Sequence, residues 1–119
     1  MNKILWKPAN TSETHFNKFI DLVNITYDQD LRTYDELYHW SINNISQFWE
    51  TSLEYSDIEY QGTYKKVLDS LHMAPGVKWF TGLNLNFAEN LLKYRDDQTA
   101  IISKIENHPA KQISYKELY

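Results

Sequence analysis

The chain has 119 residues, enough for one domain with a modest core. Its 42% hydrophobic and 24% charged residues argue against wholesale disorder, and a net charge of −4 disfavours nonspecific binding to nucleic-acid phosphates. The absence of cysteine excludes disulfides, thiolate nucleophiles and cysteine-based zinc sites.

At the amino-terminus, Lys3-Ile4-Leu5-Trp6 is apolar only as far as Lys7-Pro8, too short for a signal peptide or a membrane span. The chain therefore reads as cytoplasmic, without nucleic-acid or membrane partners. Asn10 followed by Glu13 fits a helix amino-terminal cap. Phe16, Phe19, Ile20, Val23 and Tyr27 then recur at helical spacing, predicting a helix that ends near Asp28. Thr33 and Glu36 form a second capping box before a short helix with Tyr34, Leu37 and Tyr38 on one face, and Ser41–Asn44 is dense enough in capping residues to break it. Ile45, Phe48, Trp49 and Leu53 mark a third helix.

Glu54–Thr63 has no clear period and reads as a loop with one short strand. Tyr64, Val67, Leu68 and Leu71 predict another short helix, and Pro75-Gly76 and Gly82 are turn signals. Asn86 and Glu89 make a third capping box, with Phe87, Leu91 and Tyr94 on the apolar side. Ala100–Glu106 and Gln112-Ile113, joined by Asn107-His108-Pro109, read as a β-hairpin. Ser114 and Glu117 form a fourth capping box, yet the sequence continues only to Tyr119. One helical turn and an isolated hairpin are both marginal alone, so the carboxy-terminus reads as truncated.

The fold expected is α+β, mostly α: a small helical module with one carboxy-terminal β-hairpin, incomplete without a further domain. Its core should include Phe16, Phe19, Ile20, Val23, Leu37, Ile45, Phe48, Trp49, Leu91 and Ile101. The hairpin carries Ile101 and Ile105 on one face and Ala100 and Ile102 on the other. Such a strand pair needs cover on both faces, so an exposed apolar patch is expected around Ile102, Ile113, Tyr115 and Leu118, with self-association of the isolated chain or weak protection of its hairpin amides.

No catalytic constellation emerges. His15, His39, His72 and His108 are scattered singly, which suits exposed or structural histidines better than metal ligands. Asp96-Asp97 sits between a helix end and a strand and reads as a solvated turn. Gly76 and Gly82 lack the Gly-Lys-Ser/Thr ending of a phosphate loop, and no Ser has a His–acid relay nearby. Tyr38-His39-Trp40 and Phe48-Trp49 could stack a ligand, but at helical spacing they read as core. No catalytic, cofactor-binding or metal-binding residue is therefore assigned.

The run WFTGLNLNFAENLL from Trp79 to Leu92, followed by Asp96-Asp97, is not what generic packing requires. It resembles the amino-terminal signature of acetoacetyl-CoA synthetases, which are adenylate-forming acyl-CoA ligases. The landmarks keep their order along nearly the whole chain: Trp6 with Pro8 and Phe16, Tyr34 with Leu37, Trp40-Ser41-Ile42, Phe48-Trp49, Met73-Ala74-Pro75-Gly76, Trp79-Phe80, Asp97 with Ala100-Ile101-Ile102, and Ile113-Ser114-Tyr115-Lys116-Glu117-Leu118. Ala74 interrupts the family's Met-Pro, and Thr81 replaces a commoner Pro. Ala88-Glu89-Asn90-Leu91-Leu92 favours the acetoacetyl branch over acetyl- or propionyl-CoA synthetases.

The resemblance implies residues 1–97 as a helical amino-terminal module and 98–119 as the hairpin and cap that begin the large AMP-binding domain. It implies ATP, magnesium and CoA for the full-length enzyme and none of them bound by this segment, which would be structural and inactive alone. The implied partner is the large adenylate-forming domain, packed near Ile102, Ile113, Tyr115 and Leu118. The alternatives are a free-standing interaction module derived from such a domain, or the same segment of an acetyl- or propionyl-CoA synthetase.

Overall fold

A computed structural model describes residues 6, 9–72 and 75–119; Lys3–Leu5, Lys7-Pro8 and Met73-Ala74, on which some expectations fall, lie outside the described residues. The chain forms two compact units. One takes the chain up to Asp57 together with Lys66–Thr81, and the other takes Ile58–Lys65 with Gly82–Tyr119.

In the first unit, helix α1 (His15–Tyr27) begins later than the Asn10 cap predicts. Asn10 spends its carboxamide on the backbone N–H and hydroxyl of Ser12, at 3.1 and 2.7 Å. This local turn competes with helix capping. Thr14 caps instead, its hydroxyl accepting from the Asn17 N–H at 3.3 Å. The helix ends as expected, with Asp28 in the left-handed region at φ 51°. Asn24 then fastens the connection to the next helix. Its side-chain amide donates to the Leu31 carbonyl and accepts from the Leu31 N–H, both at 2.9 Å.

Helix α2 (Tyr34–Asn43) opens on the expected capping box. The Thr33 hydroxyl accepts from the Glu36 N–H at 3.3 Å, and the Glu36 carboxylate accepts from the Thr33 and Arg32 N–H groups at 2.8 Å each. The Arg32 and Thr33 donors hold the Glu36 carboxyl below its ordinary pKa, because they favour its charged form. Ser41 and Asn43 do not break the helix. They donate back to the Tyr38 and His39 carbonyls at 2.8 Å each, which lets helical backbone continue. The break comes at Asn44, whose side chain donates to the Trp40 carbonyl at 3.0 Å and so leaves α3 (Ile45–Tyr55) without a side-chain cap.

The three helices enclose Ile20, Val23, Leu37 and Trp40, with Phe19, Tyr27, Leu31 and Phe48 packed around them. Thr51 is only 1% exposed and is satisfied by donating to the Gln47 carbonyl at 2.9 Å. Phe16 and Trp49, expected in the core, are exposed. Phe16 stacks on Tyr34 at 6.2 Å, and Trp49 meets Trp79 edge-on at 5.5 Å. The helix expected around Val67–Leu71 does not form. Its backbone pairs across the Pro75-Gly76 turn instead, with a Leu68–Trp79 bridge, the Phe80 N–H on the Val67 carbonyl at 2.7 Å and the Asp69 N–H on the Lys78 carbonyl at 3.3 Å. Val67 is thereby buried.

The second unit holds two antiparallel strand pairs. Strands β1 (Tyr60–Gly62) and β2 (Leu83–Leu85) pair Tyr60 with Leu85 and Gly62 with Leu83. The sequence pattern predicts only the first of these as a strand. Helix α4 (Phe87–Leu91) follows. The expected hairpin forms from β3 (Thr99–Ser103) and β4 (Lys111–Ser114), with Ile101 opposite Ile113. Helix α5 (Tyr115–Leu118) starts on the expected Ser114–Glu117 capping box, and the Ser114 N–H and hydroxyl hold the Glu117 carboxyl below its ordinary pKa. Leu91 and Ile101 are 55% and 45% exposed, not core. The α+β, mostly helical class and the carboxy-terminal hairpin are as expected.

Trp40→Ala should cost about 3–5 kcal/mol, and Thr33→Ala about 1 kcal/mol, in urea unfolding followed by helical circular dichroism. Glu36 adds a pH dependence of known sign. Its folded pKa is depressed, so its stabilisation is complete above the ordinary carboxylate range and is lost as pH falls through the lowered value. Thr33→Ala should flatten that acid limb; an unchanged limb would contradict the capping account.

Candidate functional site

The segment Trp79–Leu92 is the candidate site. Trp79 supports the first unit through its bridge to Leu68 and its contact with Trp49. Phe80 sits at φ 44°, a left-handed conformation that a bulky side chain rarely adopts, and is fixed there by the hydrogen bond to Val67. At Gly82 the chain returns to the second unit. Gly82 has φ 110° and Gly62 has φ 92°; a Cβ on Gly82 would collide with the Thr63 carbonyl oxygen, and one on Gly62 with that of Gly82. Glycine is required at both because two backbones pass in close contact.

Each Asn of the motif beyond β2 has a structural task. The Asn86 carboxamide oxygen accepts from the N–H groups of Ala88 and Glu89 at 3.0 and 3.3 Å, capping α4. Asn90 reaches from α4 to the residue before β1. Its oxygen accepts from the Glu59 N–H at 2.8 Å, and its NH₂ donates to the carbonyls of Glu59 at 2.8 Å and Asn86 at 3.1 Å. Sequence reasoning missed this clamp, because nothing local marks Glu59 as the partner of a residue 31 positions away.

Beside α4 lies a depression of about 620 Å³, lined by Glu59, Glu89, Lys93, Arg95 and Tyr119 among others. Two carboxylates face two cations there, so it offers no net field for an anion. The Arg95 guanidinium lies over the Tyr119 ring at 3.7 Å. Asp96 accepts from the Gln98 backbone and side chain at 3.0 Å each, the turn expected of Asp96-Asp97. His15 bonds the Tyr55 hydroxyl at 2.8 Å, and His39 and His108 donate to carbonyls within their own segments. No group of three or more His, Asp or Glu that could hold a metal ion occurs among the described residues.

Several large apolar side chains of the second unit face outward. Leu85, Phe87, Leu91, Ile101, Ile102 and Ile105 are all exposed, so the hairpin is open on both faces.

Residues 34–91 match the family model described as the acetyl-coenzyme A synthetase N-terminus. The chain is 37% identical to malonamoyl-CoA synthetase of Penicillium aethiopicum and 35% identical to acetoacetyl-CoA synthetase of Xenopus tropicalis, each match covering 98% of this chain. The solved structure of acetoacetyl-CoA synthetase from Streptomyces lividans superposes on 98% of it, with a TM-score of 0.83 at 27% identity. Over 98% of its length the chain matches the amino-terminal part of acetoacetyl-CoA synthetases. It spans 17–18% of the length of these two curated relatives and 19% of the solved chain. The Trp79–Leu92 motif supplies backbone fasteners: the Gly62–Gly82 close approach, the Asn86 cap and the Asn90 clamp.

Gly82→Ala should therefore destabilise the second unit by at least about 1 kcal/mol, since neither the φ nor the space suits alanine. Faster amide exchange in β1 and β2 would report it. Unchanged exchange would contradict the close-approach assignment.

Proposed function

We propose that this chain is the amino-terminal module of an ATP-dependent acetoacetyl-CoA synthetase and contributes structure rather than chemistry. In the complete reaction the acetoacetate carboxylate attacks the α-phosphorus of ATP and diphosphate leaves. The CoA thiol then attacks the acyl carbon and AMP leaves. We place all of these steps, and the ATP, magnesium and CoA sites, outside this segment. Among the described residues no carboxylate cluster suits magnesium, and Gly62 and Gly82 serve a backbone crossing rather than a phosphate cradle. No catalytic, cofactor-binding or metal-binding residue is assigned to it.

The observation that carries this reading is the hairpin. Ile102 is 65% exposed, and Ile113 and Leu118 are exposed as well, around a half-buried Tyr115. A strand pair left open on both faces is cover for something else. We assign it to the large adenylate-forming domain, with residues 1–97 as the helical module and 98–119 as the start of that domain. The isolated chain is then expected to self-associate only weakly, at high concentration, through the same face. A cytoplasmic location belongs to this reading; among the described residues no helix is long and apolar enough to cross a membrane.

The substrate is a short carboxylate with a carbonyl on its β-carbon. Acetoacetate and malonamate share that group and differ by a methyl in place of an amide nitrogen, and relatives named for each match this chain at similar identity.

The isolated chain should form no adenylate from acetoacetate and ATP, whereas the full-length protein should release diphosphate with acetoacetate or malonamate in preference to acetate. Turnover by the isolated chain would remove the structural reading. Preference for acetate would move the assignment to the acetyl branch.

A further inference from the structure

Helix α4 has five residues, too few to persist on propensity. Two polar devices hold it: the Asn86 cap and the three hydrogen bonds of Asn90 to Glu59 and Asn86. Helices are ordinarily held by burying an apolar face, and here that face stays in water. Phe87 is 79% exposed and Leu91 55%, with Leu85 of β2 at 63%. A helix fixed so firmly while its largest side chains point outward is a presented surface.

We propose that Phe87 and Leu91, aimed by the positioning residue Asn90, form a ridge that docks onto an apolar surface of the synthetase beyond residue 119. This rests on the functional reading above. Two facts select the occupant. The relatives are more than five times as long as this chain, so most of the enzyme lies beyond the matched region. The three side chains also expose on the order of 400 Å² at most, about half of the roughly 800 Å² per partner of a stable separate complex. A patch too small for a second molecule suffices for a covalently continuous one, whose effective concentration is high.

Hydroxyl-radical footprinting of the full-length protein tests this. Phe87 and Leu91 should be modified at least fivefold more slowly than the exposure seen here implies. Phe87→Ala with Leu91→Ala should lower the thermal midpoint of the full-length protein, whereas a solvent-facing pair would leave it unchanged. Asn90→Asp, which loses both NH₂ bonds while keeping shape, should restore rapid modification of Phe87. Rapid modification of Phe87 in the unaltered enzyme would overturn the proposal, as would protection that disappears on dilution, which marks a second copy as the occupant. Activation of acetoacetate alongside a freely modified Phe87 would defeat the docking inference alone. A protected Phe87 without acyl activation would support docking and remove the functional reading.

Discussion

Two asparagine side chains act as pieces of backbone, and the short elements on either side of them depend on it. Asn24 pairs its amide with both polar groups of Leu31, and Asn90 does the same with Glu59. Each makes the pair of bonds that a neighbouring strand would make, so a connection without regular structure is fixed as firmly as a sheet edge. The need for such devices follows from the core. Among the described residues, the buried apolar side chains are Ile20, Val23, Leu37, Trp40 and Val67. A core of this size leaves much of the ordering of the connections and short elements to polar fasteners.

Burial and polar fastening divide between the two units. The first has a helical core of ordinary type, in which Val23 is fully buried and Tyr27 lies against Trp40 at 5.4 Å. The second has none of the buried apolar residues among those described. Its strand pairs and short helices rest on the Gly62–Gly82 crossing, the Asn86 and Ser114 caps and the Asn90 clamp. Its Leu85, Phe87, Leu91, Ile101, Ile102 and Ile105 side chains are turned outward, and outward apolar patches of this kind mark contact surfaces.

Where structure depended on neighbours in sequence, it was legible. The Thr33–Glu36 and Ser114–Glu117 boxes put donor and acceptor three residues apart, and the Ile45, Phe48, Trp49, Leu53 stripe placed α3. Local competition defeated the Asn10 cap, because Ser12 claimed its carboxamide first. Tertiary pairing defeated the helix expected after Tyr64, since Val67–Asp69 found backbone partners across a turn. Periodicity assigns Phe16, Trp49, Leu91 and Ile101 to the core, but it gives the face of a side chain and not whether anything covers it. The Leu83–Leu92 motif was visible as a pattern, and its meaning was not: Asn90 acquires a role only once Glu59 is beside it.

On the proposed reading, the second unit is half of an interface completed by the rest of a synthetase. Amide hydrogen exchange across β3 and β4, compared between the 119-residue chain and the full-length protein, tests it most directly. Weak protection of the Ile101, Ile102 and Ile113 amides is expected in the isolated chain under conditions where it is monomeric, and strong protection in the full-length protein. Equal and strong protection in both would contradict it, because the hairpin would then be complete without a partner.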